Sequence, residues 1–217
     1  MKNKGLLFFL TMTILMSNNL SAKQKDRESL LGSLWPALTK GDLKDEDLSN
    51  KTILNKKVLF SNFDCANLKE AELKDCYFFW DNFINASLKK TIVQNVTFEL
   101  CDFERAKFIK FNKKNEIPEN IKFISCVFNN ANMTNANFEN VIFQNCDFIA
   151  VDMSGANFKN CKFINCTIRP TSINNTCFDG AELDCSPIIY VNKEFDASLP
   201  AYKNANELKD LLADINN

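Results

Sequence analysis

"GANFKNCKFINC", residues 155–166, places a phenylalanine at every fifth position and an alanine or a cysteine two residues before each phenylalanine. Amphipathic helices repeat near 3.6 residues and half-buried strands repeat every two residues, so neither element explains a period of five. The stretch therefore predicts a backbone that turns at regular intervals and buries one large side chain in each five-residue step.

The same spacing continues in both directions, from Phe63 to Leu183. Of the 25 positions in this series, 23 are Phe, Leu, Ile, Val or Met, and the two exceptions are the adjacent steps Lys113 and Pro118. Two residues before these positions, 21 of the 25 residues are Ala, Cys, Ser, Thr or Val. A single interruption, over residues 109–121, accounts for both large-residue exceptions.

The best copies of the repeat are "CANLKEAELKDC" at 65–76 and "NANMTNANFENVIFQNCDF" at 130–148. Their order is a small residue, Asp or Asn, Leu or Phe, and two polar positions, which resembles the pentapeptide-repeat family over roughly residues 43–188. The resemblance implies an all-β solenoid: a right-handed, four-sided β-helix in which each pentapeptide forms one side. It also implies that four pentapeptides make one coil, with the small and the large residues both pointing inward.

A coil of four pentapeptides predicts stacks of like side chains, about 4.8 Å apart along the solenoid. Sorted in this way, one side collects Phe63, Phe83, Phe103, Phe123, Phe143, Phe163 and Leu183, and a second collects Phe78, Phe98, Phe138, Phe158 and Phe178. A third side collects Leu73, Val93, Met133, Met153 and Ile173. Because the spacing returns to the same phase at Phe123, we expect residues 109–121 to form a loop that replaces two sides of one coil.

The N-terminal segment, residues 1–22, is typical of a secretory signal peptide. Two lysines precede an apolar run from Leu6 to Met16, and a polar stretch ends at Ala22. The run is too short to span about 30 Å of hydrocarbon as a helix, so a retained membrane anchor is the weaker interpretation. We expect cleavage after Ala22, an exported protein in the periplasm or outside a bacterial cell, and no stable membrane insertion after the signal is removed.

Short helical segments are expected at both ends of the solenoid, where they would cover its open β edges. Residues 23–42 are predicted to form an N-terminal helical cap, residues 43–190 the β-helix, and residues 191–217 a tail with a helix. The helical spacing of the tail is carried by Leu208, Leu211, Leu212 and Ile215. A homodimer through this C-terminal helix is left open.

Composition argues against catalysis and against nucleic acid binding. The 26 basic and 27 acidic residues give a net charge of -1, which provides no long-range attraction for phosphate. The chain has no histidine, which excludes His-based acid-base catalysis and nucleophile pairs. No convergent ligand set is visible, so we expect no enzyme activity, no cofactor and no metal site.

The nine cysteines could form disulfides in an exported protein, but their spacing favours buried free thiols. Six of them occupy the small inward position: Cys76, Cys101, Cys126, Cys146, Cys161 and Cys166. Among these, Cys126, Cys146 and Cys166 are expected to form a ladder, one thiol in each coil. Cys65 and Cys185 are expected on the outside, too far apart to pair with each other.

The stretch "CYFFWDNF", residues 76–83, places three aromatic residues next to the inward Phe78. We expect them to face outward and to form an apolar column with residues of the adjacent coils. The candidate partner-binding residues are Leu59, Phe60, Tyr77, Phe79, Trp80 and Leu100. Such a patch either binds a partner or is covered by the chain itself, for example by Phe111 and Ile117 of the predicted loop.

These expectations favour a non-enzymatic, exported scaffold that presents its faces to an unidentified protein partner. The resemblance also implies an alternative, because some relatives are acidic rods that imitate DNA, occupy gyrase and give fluoroquinolone resistance. Residues 61–188 hold 16 acidic and 13 basic residues, far fewer net charges than a duplex with about one per 1.7 Å. A secreted effector that acts in a host cell is a further alternative.

Overall fold

The computed structural model describes residues 38–39, 41–112 and 118–184, and in these ranges the chain forms a parallel β-solenoid of about six coils. The strands are β1 (Leu38–Thr39), β2 (Thr52–Leu54), β3 (Lys57–Leu59), β4 (Glu72–Phe79), β5 (Ile92–Glu99), β6 (Lys122–Ile124), β7 (Ile142–Gln144), β8 (Asp147–Ile149), β9 (Lys162–Ile164), β10 (Thr167–Arg169) and β11 (Glu182–Asp184). The described residues contain no helix. The predicted all-β solenoid is therefore confirmed.

Most strands belong to one parallel sheet, in the order β1-β3-β4-β5-β6-β7-β9-β11, with β2 paired to β4. A second sheet consists of β8 and β10. Neighbouring strands usually pair residues that are four pentapeptides apart, as Phe78 pairs with Phe98. Each coil therefore lies directly over the one before it.

Four faces, each one pentapeptide wide, surround the core, and we name them by their inward-pointing central residues. Face A contains Val58, Phe78, Phe98, Phe123, Phe143, Phe163 and Leu183, and face B contains Phe63, Phe83, Phe103, Phe128, Phe148 and Ile168. Face C contains Leu68, Leu88, Phe108, Met133 and Met153, and face D contains Leu73, Val93, Phe138, Phe158 and Phe178. All of these side chains are buried.

A left-handed backbone residue forms the corner at the end of each five-residue step. In consecutive steps, φ is 60° at Asn130, 55° at Asn135, 61° at Asn140 and 53° at Asn145. Among the described residues, asparagine holds 13 of the 25 non-glycine positions with positive φ, because its short polar side chain tolerates this conformation better than most residues do. The asparagine-rich corners thus explain why the chain turns every five residues.

Stacked phenylalanine rings fill the interior. On face A, Phe78 and Phe98 have ring centroids 4.8 Å apart with planes 16° from parallel, and Phe123 and Phe143 are 5.3 Å apart at 10°. Rings on adjacent faces meet edge to face, as Phe63 and Phe78 do at 6.2 Å and 68°. Both geometries are favourable for aromatic pairs, so one repeated residue type can fill the whole core.

The coil that contains the interruption is five residues longer than the others, and residues 113–117 of the predicted loop at 109–121 lie outside the described residues. Strand β5 pairs Phe98 with Phe123, which lies five pentapeptides later instead of four. In the same way, Phe103 stacks on Phe128 at 5.2 Å. An insertion of one pentapeptide preserves the five-residue phase but moves every later step to the next face. The stacks predicted across residues 109–121 are therefore assigned to the wrong faces.

Phe111 fills the interior where the predicted series has Lys113. It is fully buried, with its ring 5.2 Å from Phe108 and 5.2 Å from Phe138. The neighbouring Asn112 is also buried, and its Oδ1 accepts a hydrogen bond from the Val93 backbone N–H at 2.6 Å. The Phe111 ring therefore fills the interior between Phe108 of face C and Phe138 of face D.

Regular packing ends at Pro170. This residue occupies a corner position, but its ring fixes φ near -65°, so it cannot adopt the left-handed conformation. In the following step Thr171 is exposed and Ile173 is only partly buried, whereas the equivalent Val151 and Met153 of the previous coil are fully buried. The last described coil is consequently packed less tightly than those before it.

The predicted signal peptide at 1–22 and the predicted tail at 191–217 lie outside the described residues, as does most of the predicted cap at 23–42. The described Leu38–Thr39 is a strand that pairs in parallel with Val58–Leu59. Solenoid pairing thus begins before residue 43. In the ranges that the structure describes, no helix is long and apolar enough to cross a membrane.

Candidate functional site: the outer side of face A

The structure brings the six candidate partner-binding residues together on face A and at its corner with face B. Leu59 and Phe79 are paired neighbours in the β3–β4 ladder. Phe60 lies 5.6 Å from Phe79 and 6.0 Å from Trp80, measured between ring centroids. Trp80 is 43% exposed and Leu100, one coil further along the same corner, is 37% exposed. We call this group of six residues the aromatic cluster.

Tyr77 supports the aromatic cluster and uses its polar tip within the chain. Its ring stacks on Phe79 at 6.2 Å, and its hydroxyl donates a hydrogen bond to Glu99 Oε2 at 2.6 Å. Burial and the bond to Glu99 raise the pKa of the Tyr77 phenol above its usual value. The hydroxyl therefore stays protonated and fixes the ring against its neighbour in the next coil.

Three members of the cluster hold an unusual backbone conformation for large apolar residues. Phe60, Trp80 and Leu100 have φ of 54°, 55° and 55°, the left-handed region. This region costs an ordinary L residue about 1–2 kcal/mol, and a bulky residue there is an outlier. The equivalent corners in the next three coils are Ser125, Asn145 and Asn165. The aromatic cluster thus places large side chains where the rest of the column uses small polar ones.

Further apolar residues point outward on face A beyond those that the sequence predicted, and they lie among polar residues such as Glu99, Lys122, Gln144 and Lys162. Ile124, Ile142 and Ile164 also point outward on face A, in strands β6, β7 and β9, and all three are partly buried. A strict spacing of four pentapeptides assigns them to other faces, because the longer coil shifts every position after it. The sequence assigns these isoleucines to face A only when the coil from Phe98 to Phe123 is counted as 25 residues instead of 20.

A polar column lies just inside the corner between faces A and B. Its members are Ser61, Asp81, Cys101, Cys126, Cys146 and Cys166. Cys146 donates its S–H to the Phe123 carbonyl at 3.3 Å. Cysteine suits this place because one small group can both donate and accept. The predicted cysteine ladder is confirmed, and the longer coil adds Cys101 to it.

The inward cysteines are all buried and unpaired in the described chain, as predicted. Burial raises the pKa of the Cys126 and Cys146 thiols well above their usual value. Cys65 is exposed and Cys177 is partly exposed. The predicted outward Cys185 lies outside the described residues.

Asp81 is the one carboxyl in the polar column. It is 1% exposed, and its Oδ1 accepts a hydrogen bond from the Ser61 backbone N–H at 2.6 Å. Its Oδ2 has no hydrogen-bond partner among the described residues. Burial raises the pKa of Asp81 to about 8, so the carboxyl is mostly protonated at neutral pH. A neutral carboxyl can accept and donate, as the thiols of the same column do.

The predicted loop does not cover the aromatic cluster with Phe111, because Phe111 is buried inside the solenoid. Ile117, the second residue proposed for covering, lies outside the described residues. Elsewhere, a groove of about 570 Å³ runs between faces C and D, lined by Glu70, Glu72, Lys90, Lys110 and three uncharged residues. Lys90 and Glu70 form an ion pair at 2.8 Å. Within the described ranges, no group of three or more Cys, Asp or Glu is arranged to hold a metal ion.

Residues 121–192 match the model of the pentapeptide repeat region. No curated protein sequence matches the chain at a significant level. Among solved structures, the chain is similar to QnrB1, a plasmid-mediated fluoroquinolone resistance protein, with 16% identity over 78% of this chain and 96% of QnrB1, at a TM-score of 0.40. Rfr23 from the cyanobacterium Cyanothece 51142 has 14% identity over 64% of this chain and 87% of its own, at a TM-score of 0.24.

HetL, a protein involved in heterocyst differentiation regulation from Nostoc sp. strain PCC 7120, has 11% identity over 76% of this chain and 95% of its own, at a TM-score of 0.20. At these scores the neighbours carry no argument about partners. The assignment rests on the family match and on the five-residue geometry described above. Residues 121–192 are therefore a pentapeptide repeat region by the family match, and the same five-residue repeat continues in the coils that precede them.

Proposed function

We propose that the chain is an exported, non-enzymatic scaffold for protein interaction, and that a protein partner binds the outer side of face A. The observation that carries this proposal is the conformation of Phe60, Trp80 and Leu100, which keep a left-handed backbone on the surface. Asparagine would fill these corners at lower cost. Large apolar residues held against their backbone preference are expected where their side chains bind something.

The chemistry of the chain also supports binding rather than catalysis. Pentapeptide-repeat proteins are generally structural or interaction proteins. The absence of histidine from the sequence removes the commonest general acid and base. The buried acid, Asp81, lies inside the packed core, where no substrate reaches it. A solenoid face with an aromatic cluster at one end is suited to contact with another protein.

Export is the second part of the proposal, and the order of charged, apolar and polar residues in 1–22 supports it. Cleavage after Ala22 would release the mature protein into the periplasm or the medium. Intact mass measurement of the protein purified from its native host tests this directly. A product that retains Met1 would contradict export.

The partner surface is tested by a matched pair of charge substitutions. Leu100→Asp places a charge in the aromatic cluster, and Ile149→Asp places the same charge on face B. Leu100 is 37% exposed and Ile149 is 38% exposed, so neither substitution buries a charge. Both variants are produced in the native host with an affinity tag and cross-linked before purification.

We expect a protein that is captured by the wild type and by Ile149→Asp but lost with Leu100→Asp. Removing an apolar anchor from the centre of an interface typically costs more than about 1 kcal/mol of binding energy. Thermal unfolding of both variants checks that the fold is unchanged. Equal capture by the two variants would show that face A is not the binding surface.

A further inference from the structure

Face C carries a concentration of positive charge on its outer side. Five exposed lysines lie there within three successive coils, and Glu70 is the one carboxylate among the described residues of this part of the face. We call these lysines the basic cluster, and its members are Lys69, Lys89, Lys90, Lys107 and Lys110. The chain as a whole has a net charge of -1, so this positive charge is a local feature of one face.

Four members of the basic cluster are stacked in pairs of like charge. The backbone N–H of Glu70 donates to the Lys89 carbonyl at 3.0 Å, which places Lys69 beside Lys89 of the next coil. Lys90 and Lys110 occupy successive corners between faces C and D, with φ of 58° and 57°. Like charges directly opposite each other in neighbouring strands are destabilising, so this arrangement costs free energy in the isolated protein.

Several other lysines of the solenoid are neutralised by a carboxylate of the adjacent coil. Lys44 Nζ lies 3.1 Å from Asp64 Oδ2, and Lys162 Nζ lies 2.9 Å from Glu182 Oε2. Only two members of the basic cluster are within ion-pair distance of a carboxylate in the part of the chain that the structure describes, and both reach Glu70. The basic cluster therefore keeps an excess of positive charge that these residues do not neutralise.

Neutral hydrogen-bonding side chains surround the basic cluster. Asn67, Ser87 and Asn132 share one column with Lys107, and Thr134 lies in the coil beyond. Hydroxyl and amide groups both donate and accept hydrogen bonds, as the hydroxyls of a sugar do. No aromatic side chain points outward on the described part of face C, so the bases of a nucleic acid would find no surface to stack on.

We propose that face C binds an acidic polysaccharide, with its carboxylates on the basic cluster and its hydroxyls on the neutral polar residues around it. A lysine ammonium is a compact charge with three donors, so it accepts an anionic group from many directions. Lysines of adjacent coils lie about 4.8 Å apart, so successive anionic groups of one polymer can each contact one. An anion between two stacked lysines also removes their mutual repulsion.

The groove between faces C and D limits where the polymer lies. Lys90 and Lys110 line the groove in the later coils, whereas Glu70 and Glu72 line it in the coil before them. Anionic groups are therefore favoured at the end of the groove formed by the two lysines and repelled by the two glutamates. This assignment concerns a different face from the aromatic cluster and does not depend on the partner proposed for face A.

The test measures the binding of two labelled uronate polymers, polygalacturonate and alginate, to the intact chain by fluorescence anisotropy. Dextran, an uncharged polysaccharide, is the negative control. Measurements at ionic strengths of about 0.01 M and about 0.15 M should show that binding weakens as salt increases. We expect both uronate polymers to bind at the lower ionic strength and dextran not to bind.

A matched pair of double variants tests the position of the site. Lys89→Gln with Lys110→Gln removes two charges from the basic cluster, and Lys56→Gln with Lys122→Gln removes two exposed lysines elsewhere on the solenoid. The first variant should bind at least about ten-fold more weakly and show a smaller salt dependence, whereas the second should stay within about two-fold of the wild type. Thermal unfolding should show the first variant to be at least as stable as the wild type, because two lysine stacks are relieved.

The proposal is overturned if neither uronate polymer binds at low salt, or if the two double variants lose affinity equally. Polyphosphate and oligothymidylate serve as polyanions without uronate groups. If either binds as tightly as polygalacturonate, charge alone is recognised and the assignment to an acidic polysaccharide is wrong. Each of these failures leaves the comparison of partner capture by Leu100→Asp and Ile149→Asp intact, so the two proposals fail separately.

Discussion

Asp81→Asn should stabilise the protein, and the gain should grow as the pH rises. The carboxyl is buried beside Ser61 in the polar column, with its pKa raised to about 8 from an unfolded value of 3.8. Between these two values the unfolded chain binds fewer protons than the folded one. The free energy of unfolding of the wild type therefore falls as the pH rises from about 4 to about 8, and levels off above that.

The size of the effect follows from the difference in pKa. Each unit corresponds to about 1.4 kcal/mol, so a rise of roughly four units amounts to on the order of 5 kcal/mol across the window. At pH 5 only about one unit of the window has been crossed, and the wild type should be destabilised by about 1–2 kcal/mol. Asparagine has nearly the same shape, can accept the Ser61 N–H bond, and does not titrate.

Urea unfolding, followed by far-UV circular dichroism at pH 5.0, 6.5 and 8.5, measures the difference. The advantage of Asp81→Asn over the wild type should widen by about 3–4 kcal/mol between the lowest and the highest pH. Ser61→Ala is the control, because it removes a neutral hydroxyl from the same column and its effect should be the same at each pH. An advantage of Asp81→Asn that stays constant with pH would refute the buried, protonated carboxyl.

Three further outcomes test the repeat geometry. Phe143→Asp should prevent folding, because it puts an unpaired charge into a fully buried stack of rings. Asn145→Asp at the exposed corner should change the free energy of unfolding by less than about 0.5 kcal/mol. A thiol reagent should label Cys65 rapidly and Cys146 only after denaturation, as followed by mass spectrometry; fast native labelling of Cys146 would reverse its inward assignment. Leu100→Asn should raise the free energy of unfolding by about 0.5–1 kcal/mol, because the left-handed corner favours asparagine. For the same reason Asn145→Leu should lower it by about 1–2 kcal/mol. If both substitutions changed the free energy of unfolding in the same direction, the corner conformation would no longer support the proposed function.

Most of the fold could be predicted because the five-residue period has a direct physical cause. Each step needs one large and one small inward residue, and the sequence shows both without reference to anything distant. Phe143 and Cys146 could therefore be assigned to the interior from the local pattern. The residues that they contact in adjacent coils could not be assigned from the local pattern, because these contacts depend on the number of residues in each coil.

The stacking partners after residue 112 could not be predicted because the insertion of a whole pentapeptide leaves the local pattern unchanged. Phe123 remains inward whether its coil has four or five pentapeptides, but it packs against Phe98 only in the second case. The sequence marks the interruption by Lys113 and Pro118 at large positions and by Phe111, a large residue where a small one is expected. Phe111 is fully buried, with its ring against Phe108 and Phe138.

The same insertion decides the extent of the candidate surface. If every coil had four pentapeptides, the aromatic cluster would end at Leu100 and the outward isoleucines would lie on other faces. With the longer coil, Ile124, Ile142 and Ile164 lie on face A, where they alternate with Lys122, Gln144 and Lys162. The five additional residues between Phe98 and Phe123 thus decide which outward side chains share face A with the aromatic cluster.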